Sequence, residues 1–134
     1  MRAVFDTNVL ISAFVAEGVC SKLLVRARKR QFHLVTCPFI LDEFQNTLRG
    51  KLSATKAEIE AALQLLREAV QSVVHPEQAA AGTCRDSDDD NVLDCLAASG
   101  ADYLVTGDDD LLALETFAGK PIIRPRDLEM LFTD

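Results

Sequence analysis

The chain holds only two histidines, His33 and His75, far apart in sequence, which leaves no histidine-built metal site or general base. Its four cysteines, Cys20, Cys37, Cys84 and Cys95, include no C-x-x-C pair. Zinc binding and dithiol redox chemistry are therefore not written in the chain. A disulfide framework is not expected in an unsecreted protein of this length, and the thiols read as small apolar residues. No apolar run approaches the ~20 residues that span a bilayer. The first apolar stretch is interrupted by Asp6 and Asn8, so it lacks the continuous core of a secretion signal. Repeats, long linkers and low-complexity tracts are missing too. These absences point to a cytoplasmic protein without a membrane partner.

What is present is an ordinary globular balance of 49% hydrophobic and 26% charged residues in 134 positions. One domain spanning residues 1–134 follows, and disorder or a coiled coil is excluded. The net charge of −7 argues at first against a nucleic-acid partner. The acidity is local, however: nine aspartates fall between positions 85 and 110, where Arg85 is the sole base, and the remainder is close to neutral. Two like charges ~4 Å apart at an effective dielectric of ~20 repel by about 4 kcal/mol. Such a cluster calls for a neutralising partner.

The hydrophobic pattern alternates between strand and helix. Arg2–Phe5 reads as a strand ending in Asp6-Thr7-Asn8, followed by a helix through Val9, Leu10, Ala13 and Phe14. After Gly18 a second helix carries Leu23, Leu24 and Ala27 on one side. Phe32–Thr36 is a strand, and Pro38 opens a helix bearing Ile40, Glu43 and Phe44. Ser53 is expected to open the next helix, Ser72–His75 to form a short strand, and Gln78–Arg85 to form a loop. Asp86-Ser87-Asp88 signals the N-cap of a helix that turns Val92, Leu93, Leu96 and Ala97 toward a sheet and stops at Gly100. A strand at Tyr103–Thr106, a short helix at Leu111–Leu114, a strand at Lys120–Ile123 and a helix from Pro125 complete the chain. Strands separated by helices imply right-handed crossovers. The expected fold is α/β: three layers, α/β/α, around a mostly parallel sheet of about five strands.

In an open parallel sheet, functional groups gather beyond the carboxyl ends of the strands, where strand order reverses. Asp6 and Asp108 each follow a strand, Glu43 lies early in the helix after the second strand, and Asp90 opens the helix that leads into Tyr103–Thr106. All four reach one edge. At about 100° per residue, Asp90 falls at the rim of its helix's apolar stripe, Asp89 nearer the middle as the runner-up, and Asp94 on the water side. Asp86 and Asp88 read as N-terminal acids favoured by the helix dipole. Carboxylates without a neighbouring Lys or Arg suit a hard divalent cation, Mg²⁺ or Mn²⁺, which can activate water and polarise a phosphodiester.

Each residue also has a plainer reading. Asp6 could be a helix cap, although Thr7 or Asn8 would serve equally; Glu43 could face solvent; Thr106 could satisfy strand-end backbone groups or orient the site. The bases from Lys22 to Arg30 form a solvated face or a grip for phosphates. The competing functional class is a non-catalytic RNA- or protein-binding domain with a structural cation. A phosphotransferase of the haloacid-dehalogenase type needs a second acid two residues after Asp6, where this chain has Asn8. A response-regulator receiver needs an acid pair after the first strand and an Asp after a central one, and the strand ending at Thr36 offers neither.

Asp6-Thr7-Asn8-Val9-Leu10 after a short strand, Glu43 in the helix after the second strand, Asp90 opening a helix, and Thr106-Gly107-Asp108 closing a strand resemble the PIN-domain family over essentially the whole chain. The runs Cys84–Asp90 and Tyr103–Asp108 are similar to those of the prokaryotic toxin components of toxin–antitoxin systems. The resemblance implies an endoribonuclease that uses Mg²⁺ or Mn²⁺ and leaves a 5′-phosphate and a 3′-hydroxyl. It also implies that Asp6, Glu43, Asp90 and Asp108 hold the metal and position the attacking water. RNA as substrate, a small antitoxin protein as partner and a homodimer as assembly are implied in the same way. The several aspartates around Asp90 depart from the commonest family pattern and leave Asp88 and Asp89 as alternatives for the third ligand.

Overall fold

A computed structural model describes residues 1–77 and 82–133. Strand β1 (Arg2–Phe5) leads through α1 (Thr7–Val15) and α2 (Val19–Arg28) into β2 (His33–Thr36). Helices α3 (Pro38–Arg49) and α4 (Lys56–Ala69) precede β3 (Val70–Val73). Then come α5 (Ser87–Ser99), β4 (Tyr103–Val105), α6 (Asp109–Ala113), β5 (Thr116–Phe117), β6 (Lys120–Ile123) and α7 (Pro125–Glu129). The six strands lie in the order β3-β2-β1-β4-β6-β5, and every pairing is parallel except that of β5 with β6. The three-layer α/β/α expectation holds.

Burial explains why the strands read as apolar runs. β1 is flanked on both sides and covered on both faces, so Ala3, Val4 and Phe5 are all inaccessible and alternation disappears. The helices do show their periods: Ile40, Phe44 and Leu48 of α3 repeat every four residues, and Ile59, Leu63 and Leu66 of α4 line the same core. Each such leucine or phenylalanine contributes on the order of 1.5–3 kcal/mol by leaving water.

Four local expectations change. α4 starts at Lys56, not at Ser53, because Thr55 and Glu58 close a reciprocal capping box while Ser53 sits at φ 50°. β3 occupies Val70–Val73 rather than Ser72–His75, since α4 runs directly into it and Val70 pairs beside Leu34. A two-residue strand, β5, was not expected; it hairpins onto β6 through Ala118 and Gly119, both with positive φ, the geometry of a tight primed turn. It is too short to leave a periodic signal. Lastly, α5 packs against α3 as well as against β1, β2 and β5. Asp94 and Cys95 are therefore buried, and Ala97, expected on the sheet side, is exposed. Of the loop expected at Gln78–Arg85, positions 78–81 lie outside the described residues, and 82–85 form turns and bends. The four cysteines are free, with Cys37 and Cys95 in the core.

The strand order reverses at β1: β2 and β3 build outward on one side, β4 and β6 on the other. The crevice at the carboxyl ends of β1 and β4 is thus where a site is expected.

Candidate active site at the carboxyl edge of the sheet

Asp6 leaves β1 in an extended conformation and caps α1. One carboxylate oxygen accepts from the Thr7 backbone N–H at 2.7 Å, and the other from the Thr106 hydroxyl, also at 2.7 Å. Burial pushes its pKa upward, and these two donors offset part of that rise. Asp6 is therefore both a cap and a fixed acid facing the crevice. Thr106, past the end of β4, also accepts from the Asp108 backbone N–H at 3.0 Å. A single hydroxyl thus ties the ends of β1 and β4 together.

Asp108 caps α6, with one oxygen accepting from the Leu111 N–H at 3.2 Å. Glu43 is half-buried on α3, and its Oε1 accepts from the Thr7 hydroxyl at 2.7 Å. Its pKa is raised by burial, and the charges of Asp88, Asp6 and Asp86 add to the rise. Thr7, which entered the sequence reading only as a possible cap, fixes the orientation of Glu43.

The structure places the two candidates for the third acid, Asp90 and Asp89, differently. Asp90 is 7% exposed, yet its two oxygens accept from the backbone N–H groups of Gly82 and Cys84 at 3.0 and 2.8 Å. It binds the segment before α5 instead of lining the crevice. One position earlier, about 100° back round the helix, Asp89 shares a cavity with Asp6, Glu43 and Asp108. Burial and contact with Asp108, with a further contribution from Asp6, push the Asp89 pKa up to about 7. The available signal was its register: Asp89 precedes Val92 and Leu93 by three and four residues, which puts it on their buried face.

The cavity has a volume of about 280 Å³. Its wall includes seven carboxylates, those above with Asp86, Asp88 and Asp110, together with Asn8, Thr47 and one base, Lys51. Among the described residues no Lys or Arg pairs with Asp6, Glu43, Asp89 or Asp108, whereas Arg85 pairs with Asp110 at 2.8 Å. Nor do any three His, Cys, Asp or Glu side chains among them form a ready-made coordination shell. The donor chemistry still fits a hard cation, because Mg²⁺ commonly takes one or two carboxylates and keeps its remaining waters. Asp89 against Asp108 is such a pair.

Of the bases from Lys22 to Arg30, all but the exposed Lys29 are engaged among the described residues. Lys22 and Arg26 pair with Glu129 at 3.2 and 2.6 Å, Arg28 pairs with Glu68, and Arg30 donates to the Ala69 carbonyl.

Comparison with known proteins identifies the fold and the family. A chain from the crystal structure of VapBC2 from Rickettsia felis, bound to a DNA fragment from their promoter, has a similar fold, with a TM-score of 0.65 at 14% identity over 92% of this chain and 98% of that one. No curated protein matches the sequence. A PIN-domain family model matches residues 2–110, a span that contains Asp6, Glu43, Asp89, Asp90 and Asp108 alike. By that match over most of its length, the chain belongs to the PIN-domain family.

Proposed function

We propose that this PIN domain is an endoribonuclease dependent on Mg²⁺ or Mn²⁺, and that it is the toxin of a toxin–antitoxin pair. One observation carries the nuclease reading. Asp6, Glu43, Asp89 and Asp108 come from four separate parts of the chain to one cavity, and among the described residues none of them has a basic partner; burial, with the neighbouring charges of Asp108 and Asp6, pushes the Asp89 pKa up to about 7. A divalent cation relieves that repulsion. Asp89 and Asp108 are the residues to hold it, with Asp6 beside them, and Asp90 is assigned to the loop it stitches.

When bound, the cation supplies Lewis acidity toward the phosphoryl oxygens and a lowered pKa for water. The chain supplies orientation. Thr7 and Thr106 fix the carboxylate of Asp6, and Thr7 engages a single oxygen of Glu43. With one oxygen held by the Thr7 hydroxyl, Glu43 keeps its other oxygen to accept a proton from an attacking water. The toxin reading is supported by the motif resemblance and by the fold likeness to a VapBC2 chain; an antitoxin protein, a homodimer and the cytoplasm follow from that reading. Among the described residues, no single helix is long and apolar enough to cross a membrane.

The decisive experiment is cleavage of a generic single-stranded RNA with Mg²⁺ or Mn²⁺, with EDTA, and with Asp6→Asn, Asp89→Asn and Asp90→Asn. The expected result is fragments ending in 5′-phosphate, lost with EDTA, Asp6→Asn and Asp89→Asn while the circular dichroism stays native. Asp90→Asn should retain activity in proportion to its folded fraction. Cation uptake without fragments would instead establish the non-catalytic binding domain.

A further inference from the structure

We infer that Lys51 is a substrate-binding residue that grips an RNA phosphate next to the one being cut; this rests on the nuclease reading. Among the described residues, Lys51 is the only base on the wall of a cavity that also carries seven carboxylates, yet it is exposed and pairs with none of them. An ammonium beside so much negative charge but outside ion-pair distance is available to an external anion. Its position follows from the sequence. Glu43, Thr47 and Lys51 recur every four residues, so α3 and the turn after Gly50 present them in a row along the cavity. Lys51 lies just past the end of α3 at Arg49, on the same cavity wall as Glu43. From the end of that wall, its flexible side chain can meet a phosphate adjoining the one held among the acids. The need for such a contact is electrostatic: a polyanion entering an acid-lined cleft gains from a cation at the mouth. Among the other bases named for this role, Lys22, Arg28 and Arg30 contact Glu129, Glu68 and the Ala69 carbonyl, and Lys29 is not on the wall of this cavity.

A contact made equally with bound substrate and transition state changes KM and leaves kcat alone. Lys51→Gln should therefore raise KM for a fluorescein-labelled single-stranded RNA about tenfold with kcat within about twofold, and Lys51→Arg should restore most of the loss. Binding of the same RNA to Asp6→Asn, followed by anisotropy over a salt series, should weaken equally when Lys51→Gln is added. The slope of log K against log salt should fall by about 0.7. Lys29→Gln removes the same charge from an exposed site outside the cleft and should change neither quantity. An unchanged KM and salt slope in Lys51→Gln, or an equal change in Lys29→Gln, would overturn the inference. The anisotropy measurement does not depend on cleavage, so absence of any nuclease activity would sink the parent reading separately.

Discussion

Thr106 shows how one small side chain can set the geometry of a site. Its hydroxyl donates to Asp6 and accepts from the Asp108 backbone, and it is wholly inaccessible. Replacing it with valine keeps the shape and removes both bonds. A buried hydrogen bond to a charged group is worth about 1.5–3 kcal/mol, so Thr106→Val should lower unfolding stability by that order in urea titrations. It should also lower kcat more than it raises KM, because Asp6 would lose its fixed orientation. Asp89 and Asp90 teach a second lesson at this scale. Both are acids at the start of one helix, and the sequence pattern placed each near the apolar stripe. What separates them is the partner each one meets: Asp90 faces two backbone donors at positions 82 and 84, and Asp89 faces another carboxylate. Backbone donors contributed by a loop are invisible to helical periodicity.

The elements are held by terminal chemistry as much as by propensity. α4 begins where Thr55 accepts from the Glu58 N–H at 3.1 Å and Glu58 accepts from the Thr55 N–H at 2.9 Å. Thr55→Ala removes half of that box and should cost about 0.5–2 kcal/mol, read as a lower urea midpoint with an unchanged slope. Cleavage by folded protein should be unaffected, because Thr55 is outside the cavity. α5 ends as the sequence indicates, with Gly100 in the left-handed region at φ 67°. Its burial did not follow the sequence pattern, because a helix wedged between a sheet and α3 covers more than the one stripe that an amphipathic reading assigns. α7 is tied to α2 by Arg26, whose guanidinium chelates Glu129 and lies 4.4 Å from the Phe132 ring centre. That contact engages one of the bases that the sequence offered as a solvated face or a grip for phosphates.

At the scale of the whole molecule, the acids couple folding to pH. Asp89, Asp6 and Glu43 all have raised pKa values, through burial and mutual repulsion. Between the ordinary carboxylate range near 4 and the Asp89 value of about 7, the folded protein holds more protons than the unfolded chain. Stability therefore falls as pH rises through that window. The metal-free protein should melt at a lower temperature at pH 8 than at pH 5, and millimolar Mg²⁺ or Mn²⁺ should flatten the dependence by binding the ionised folded state. Asp89→Asn should flatten it without metal, which calorimetry across that range can check.

Legible in the residues alone were the α/β alternation, the position of β1, the starts of α3, α5 and α7, the stop of α5 at Gly100, and the delivery of Asp6, Glu43 and Asp108 to one edge. Each of those follows from interactions within a few residues or from the rule that parallel strands end on the same side. Long-range packing settles that Asp89 lines the crevice while Asp90 binds the backbone at 82 and 84, that Asp94 is buried, that β5 exists, and that the α2 bases pair with Glu129 and Glu68. Those outcomes depend on contacts between segments far apart in the chain, whose donors, charges and packing surfaces leave no periodic trace in the sequence.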